Sequence, residues 1–291
     1  MKESAVFFGK TQSLVGIITD PPETVRTNNL PAILFLNNGL IHRVGPNRLY
    51  VKMARHVAAM GCVAMRFDFS GVGDSEVLHE NLLFEKRTVC ETQDAMSFLG
   101  ATRGIERFIL IGNCSGGEVA LKTACCDPRV VGAVLINTQG YRHDFSVYIR
   151  NRSAARYYWK GALWTPKSWL RVLKGKTDYW NVIRVIGFQL RSLFVRKSYV
   201  PSRVEDIVGT LRSLVERGIR LLLVYSQWDE GLDYLRMTLG EGIHELSACG
   251  TARLVIIQGG SRTFMQLCSQ EHLLQVIHKW VETMVQDAQS G

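Results

Sequence analysis

One stretch constrains this chain more than any other: Phe108-Ile109-Leu110-Ile111-Gly112-Asn113-Cys114-Ser115-Gly116-Gly117-Glu118-Val119-Ala120. An apolar β-forming run meets a cluster of glycines and passes at once into a helical pattern. Small residues stand two before and two after Cys114. That spacing predicts a sharp strand–turn–helix in which the central residue takes a strained backbone conformation and bulky neighbours would collide. In this register the presented side chain is the thiol of Cys114. Ser115 is the competing nucleophile, but centring the turn on it would put Asn113 where a small residue is needed. A blander reading also stands, in which the stretch is a glycine-rich helix start holding an inert cysteine. Placement at a helix N-terminus favours the reactive reading, because the helix dipole stabilises thiolate, the attacking form.

Around this turn the chain alternates short β-branched runs with longer helical patterns, which argues for a mostly parallel sheet with helices on both faces. Expected strands are Ala5–Phe8 and Leu14–Thr19 as an opening hairpin, then Ala32–Leu36, Val63–Phe67, Phe108–Gly112, Val130–Ile136, Arg220–Tyr225 and Arg253–Ile257. Expected helices cover Arg48–Met60, Thr88–Gly100, the segment after Cys114, Val204–Arg217 and His272–Met284. At 291 residues and 46% hydrophobic content, one large α/β domain is affordable.

The net charge of +9 sits in one place. Between Tyr141 and Arg203 there are 14 Lys and Arg against two acids, Asp144 and Asp178, and four of the six tryptophans: Trp159, Trp164, Trp169 and Trp180. The remainder is slightly acidic. Residues 140–203 are therefore expected to form a basic, aromatic helical cap inserted into a core of 1–139 and 204–291. Such a segment suits an acidic protein partner or an anionic lipid surface, or simply solvates its own charges. Nucleic-acid binding would rest on charge alone, and none is expected. No metal-ligand spacing or cofactor fingerprint is present. Gly71-Val72-Gly73-Asp74-Ser75 lacks a complete phosphate-binding pattern and reads as a turn. The seven cysteines, without CxxC pairs, and the lack of a secretory leader or long apolar run point to a cytoplasmic protein.

Completing a catalytic constellation requires an acid after the penultimate strand, and Asp229 in Ser226-Gln227-Trp228-Asp229-Glu230-Gly231 supplies one. An oxyanion hole would use the backbone N–H of Ser115 and a second N–H near Gly39-Leu40, assigned to Leu40.

At this point the chain resembles a known family. Asn38-Gly39 with Arg43-Val44-Gly45-Pro46-Asn47-Arg48-Leu49-Tyr50 is similar to the α/β-hydrolases encoded with exosortase A systems. So are Arg66-Phe67-Asp68-Phe69-Ser70-Gly71-Val72-Gly73-Asp74-Ser75, the cysteine turn, and Gly231-Leu232-Asp233-Tyr234-Leu235. The resemblance runs from about residue 30 to 285 and implies a bacterial protein of α/β-hydrolase fold, with a Cys–Asp–His triad acting on an ester or thioester. One departure matters. Where the family carries its histidine, this chain reads Gly259-Gly260-Ser261-Arg262-Thr263-Phe264. Arginine stays protonated and cannot accept a proton, although its charge would favour a thiolate and it could pair with Asp229.

Three outcomes follow. An enzyme using thiolate and Arg262 would perform acyl transfer or cyclisation more readily than hydrolysis, because water attacking an acyl-enzyme needs a base. An acidic acyl-carrier protein docking on the cap could deliver the thioester. A relocated base would be His42 or His143. Finally, the fold could persist as a catalytically impaired binding or assembly module.

Overall fold

The computed structural model of the protein describes residues 1–25, 29–77, 83–139, 207–239 and 250–290. The expected cap, 140–203, lies outside the described residues. Among the described residues eight strands form a single sheet: β1 (Lys2–Phe8), β2 (Leu14–Asp20), β3 (Ala32–Leu36), β4 (Ala64–Phe67), β5 (Phe108–Asn113), β6 (Val130–Ile136), β7 (Arg220–Ser226) and β8 (Ala252–Ile257). They lie side by side in the order β1-β2-β4-β3-β5-β6-β7-β8. β1 and β2 form the antiparallel hairpin predicted around Gly9, and β2 also runs antiparallel to β4. Every other pairing is parallel. The order reverses between β3 and β5, and that crevice at the carboxyl ends of parallel strands is where ligands of such sheets collect.

Period-two alternation sends successive side chains to opposite faces, so a continuous apolar strand serves two cores. In β3, Leu34 and Leu36 pack on one side with Leu110, Leu135 and Leu221. Ile33 and Phe35 pack on the other with Ile109, Ile111 and Val134. The first core is roofed by α2 (Phe84–Arg103), α3 (Ser115–Cys126), α4 (Ile207–Glu216) and α5 (Glu230–Leu239); the second by α1 (Leu49–Ala59) and α6 (Leu267–Ser290). α6 earns its place by spacing: Leu273, Ile277, Trp280, Val281 and Met284 recur at helical intervals and all are buried. Each such side chain contributes roughly 1.5–3 kcal/mol on leaving water.

Expectation and structure differ mainly at helix lengths. α2 starts at Phe84 and ends at Gly104, which takes a left-handed conformation (φ 67°) and closes the helix by donating its N–H to the Gly100 carbonyl. α5 is not among the expected helices. Asp229 directly precedes it and caps it, the Asp229 Oδ1 accepting the Gly231 N–H at 2.8 Å. The signal was in the sequence: an aspartate, an acidic first turn, then Leu232, Leu235 and Leu239 at helical spacing.

Candidate active site

The turn at the end of β5 is held from three sides. Cys114 has φ 55° and ψ −119° and directly precedes α3. Its N–H donates to the Ile136 carbonyl on β6 at 2.8 Å, and its carbonyl accepts the Gly117 N–H at 3.0 Å. A left-handed φ at a residue bearing a side chain is strained, and persists only where surroundings impose it. The glycines are the imposition. A Cβ on Gly112 would overlap the backbone of Gly116 and Gly117, and one on Gly116 would press on the Leu36 and Asn37 carbonyls at the end of β3. Tyr50, fully buried, adds a tie that sequence analysis did not assign. Its hydroxyl donates to the Leu36 carbonyl at 2.9 Å and accepts the Asn113 N–H at 3.0 Å, linking the ends of β3 and β5 beside Cys114. Burial raises the pKa of that phenol far above its ordinary value, so it stays neutral.

Arg262 comes to this turn from the loop after β8. Its Nη2 lies 3.4 Å from the Cys114 Sγ, and its Nε lies 3.9 Å from the Asp229 Oδ2. Burial works against the Arg262 charge, but Cys114 and Asp229 outweigh it and hold the guanidinium above its ordinary pKa. Burial pushes the Asp229 carboxyl up to about 6, against the pull of Arg262 and the Gly231 N–H. Cys114 is half-buried, unlike the enclosed Cys62, whose thiol burial pushes up to about 12.

Four consecutive carbonyls of the Arg262 loop are pinned by side chains from elsewhere in the fold. Ser226 Oγ donates to Ser261 at 3.0 Å, Asn137 Nδ2 to Arg262 at 3.0 Å, Asn47 Nδ2 to Thr263 at 3.0 Å, and Gln270 Nε2 to Phe264 at 2.7 Å. Asn137, at φ 46° beyond β6, also accepts the Ser226 N–H at 2.7 Å. None of these supports was assigned from sequence: those from Ser226, Asn137 and Asn47 join positions remote along the chain, and that from Gln270 reaches back six residues.

The likeness to known proteins accords with this geometry. Residues 89–229, a little under half of the chain, match the family model described as alpha/beta hydrolase of unknown function (DUF1057). Among solved structures, a proline iminopeptidase from Mycobacterium smegmatis has a TM-score of 0.60 at 16% identity, over 99% of this chain and 100% of its own. A Pyrococcus furiosus esterase has a TM-score of 0.59 at 12% identity, covering 97% and 90%. An alpha-beta serine hydrolase homologue from Coxiella burnetii reaches 0.57 at 13% identity, covering 96% of each chain. No curated protein matches the sequence. The chain has the α/β-hydrolase fold. In that fold the triad follows the chain order nucleophile, acid, histidine. Cys114, Asp229 and Arg262 follow one another in that order along this chain, and the structure brings all three together.

The loop expected to supply an oxyanion N–H is arranged around Gly39. Its N–H donates to the Ser115 Oγ at 2.8 Å, fastening the loop after β3 to the first residue of α3. Ser115 opens a helix, so its own N–H has no partner further back in that helix. Leu40 lies at the crest of the loop, 89% exposed. His42 is exposed, and no hydrogen bond links its ring to Cys114 among the described residues. His143 lies outside them. The loop is clasped from below: buried Asp68 accepts from the Asn37 Nδ2 at 3.2 Å and from both the backbone and guanidinium of Arg43, which also reaches Asp74. Gly71–Ser75 is the expected turn, wrapped around that carboxylate. Among the described residues no His, Cys, Asp and Glu cluster could hold a metal, and no helix is long and apolar enough to cross a membrane.

Proposed function

We propose that the protein is a cysteine-dependent acyl-transfer enzyme of the exosortase-associated type, acting by transfer, cyclisation or hydrolysis on an ester or thioester. The observation that carries this reading is the guanidinium of Arg262 against the sulfur of a strained turn residue. A fixed positive charge beside a thiol favours thiolate, and thiolate attacks an acyl carbonyl without a separate base. A thiolate leaving group needs little protonation, so a thioester is the substrate best matched to a site whose histidine is replaced. The fourfold pinning of the Arg262 loop supports a working part, since a decayed position has no need of a fixed geometry. In this reading Ser115 and Leu40 supply the oxyanion N–H groups, residues 140–203 form a cap over the core of 1–139 and 204–291, and the protein is cytoplasmic. The cap's local charge of +12 suits an acidic acyl-carrier protein or peripheral contact with anionic lipid.

The test is covalent. Incubation with a short-chain acyl thioester should leave an acyl mass increment on Cys114, absent in Cys114→Ala. In Arg262→Gln, alkylation of Cys114 by iodoacetamide at neutral pH should slow by about tenfold. The replacement of the histidine also supports a second reading, a hydrolase fold kept as a binding or assembly module. Turnover of thioesters and p-nitrophenyl esters gained only in Arg262→His would favour that module over the enzyme.

A further inference from the structure

The acyl-transfer reading leaves the second half-reaction without a base, and the inference that follows rests on that reading. Arginine cannot take a proton from the acceptor. His42 is exposed and has no hydrogen bond to the thiol among the described residues. What stands beside the guanidinium is Asp229, and its two oxygens are treated differently. Oδ1 is occupied, accepting the Gly231 N–H at 2.8 Å. Oδ2 lies 3.9 Å from the Arg262 Nε, beyond hydrogen-bonding range, and accepts no hydrogen bond among the described residues. The Asp229 side chain is 2% exposed. A Cβ on Gly231 would crowd both the Thr138 carbonyl and Asp229 Oδ1, which fixes the carboxylate in its turn.

We infer that Asp229 is the general base for deacylation, its open Oδ2 taking the proton of the acceptor while Arg262 holds the departing sulfur. The acceptor, water or an alcohol or amine, forms a bond from oxygen or nitrogen to the thioester carbonyl carbon. Its proton passes to Oδ2. The tetrahedral intermediate collapses with cleavage of the carbon–sulfur bond, the electron pair leaves on Cys114 as thiolate opposite the guanidinium, and Asp229 returns its proton to solvent. Burial suits the carboxylate to this work, because at about 6 it is a stronger base than an exposed aspartate and still mostly ionised at pH 7. The charged and titratable groups that bear on it are Arg262 from the loop after β8, Glu230 and Asp233 from α5, and Tyr225 from β7.

The experiment follows the acyl adduct on Cys114 by intact mass after a pulse of p-nitrophenyl butyrate. In the wild type, clearance should fall about tenfold per pH unit below about pH 6 and show a solvent deuterium isotope effect of about 2. Asp229→Asn should acylate normally, keep its iodoacetamide reactivity within about threefold, and clear at least about 100-fold more slowly at pH 7.5 without the limb near pH 6. Hydroxylamine, which attacks without a base, should restore clearance. If Asp229 only positioned Arg262, alkylation would fall together with clearance, and the inference would be overturned. Clearance of Asp229→Asn at the wild-type rate, or a persisting limb, would overturn it as well. If Asp229→Asn does not fold, the wild-type limb and isotope effect decide, and absence of both overturns the inference. No adduct on wild-type Cys114 is the distinct outcome that sinks the acyl-transfer reading and takes this inference with it.

Discussion

Alanine at position 112 is expected to cost about 3 kcal/mol of stability. The cause is rigid. The added Cβ would overlap the carbonyl carbon and oxygen of Gly116 and the nitrogen of Gly117, backbone atoms in the first turn of α3. No side chain can rotate away, so β5 and α3 must separate. That separation would pull Cys114 from the Ile136 carbonyl and Asn113 from Tyr50. Gly260→Ala is the matched control. Its nearest new neighbours are side-chain atoms at 3.4 Å and 3.5 Å, ordinary van der Waals distances, and it should change stability by less than about 1 kcal/mol. Urea unfolding of the two variants beside the wild type gives the comparison. Equal midpoints for Gly112→Ala and Gly260→Ala would mean that the turn is not sterically locked.

That steric lock is also why the turn was legible from sequence. Exclusion of side chains leaves a direct trace, glycine at 112, 116 and 117, and the trace fixes the register on Cys114. The strands were legible for a related reason: a strand buried on both faces must be apolar throughout, as in Ala32–Leu36 and Val130–Ile136, whose bounds match expectation. Boundaries governed by capping were less so. α2 extends beyond Thr88–Gly100 in both directions because Phe84, Glu85 and the Gly104 cap lie outside its apolar stripe. α5 was hidden behind Asp229, a residue read for its carboxylate and not for its place ahead of a helix.

Within the site, residue types were legible and their supports were not. Cys114, Asp229 and Arg262 stand out by chemistry at stated positions along the chain. Asn137, Asn47, Ser226 and Gln270 do not, because an amide or hydroxyl carries no mark of which carbonyl it will meet. Arg43 and Asp68 lay within recognised landmarks without an assigned task. Their pairing depends on two loops meeting beneath the oxyanion side, which only the sheet order β4-β3-β5 brings about.

Arg43→Met is expected to destabilise the protein by about 3 kcal/mol, through the charge it strands and not the bond it removes. The Asp68 side chain is 0% exposed and that of Arg43 16%. Without the guanidinium the carboxylate keeps the Asn37 amide and the backbone N–H groups of Arg43 and Asp74, which is why the loss falls at the low end for a broken buried pair. Asp68→Asn placed on top of Arg43→Met should recover about 2 kcal/mol, because a neutral amide has no buried charge to compensate. The pair Arg55–Glu3 offers the contrast. With Arg55 51% exposed, Arg55→Ala should move the urea midpoint far less than Arg43→Met does. The loop clasped by Arg43 carries Gly39 and Leu40, so Arg43→Met should also slow acylation of Cys114 while leaving the Arg262 contact intact. Urea midpoints that place Arg43→Met level with Arg55→Ala would show that the two loops hold together without this clasp, and that the position of the oxyanion side is set by the Gly39–Ser115 hydrogen bond alone.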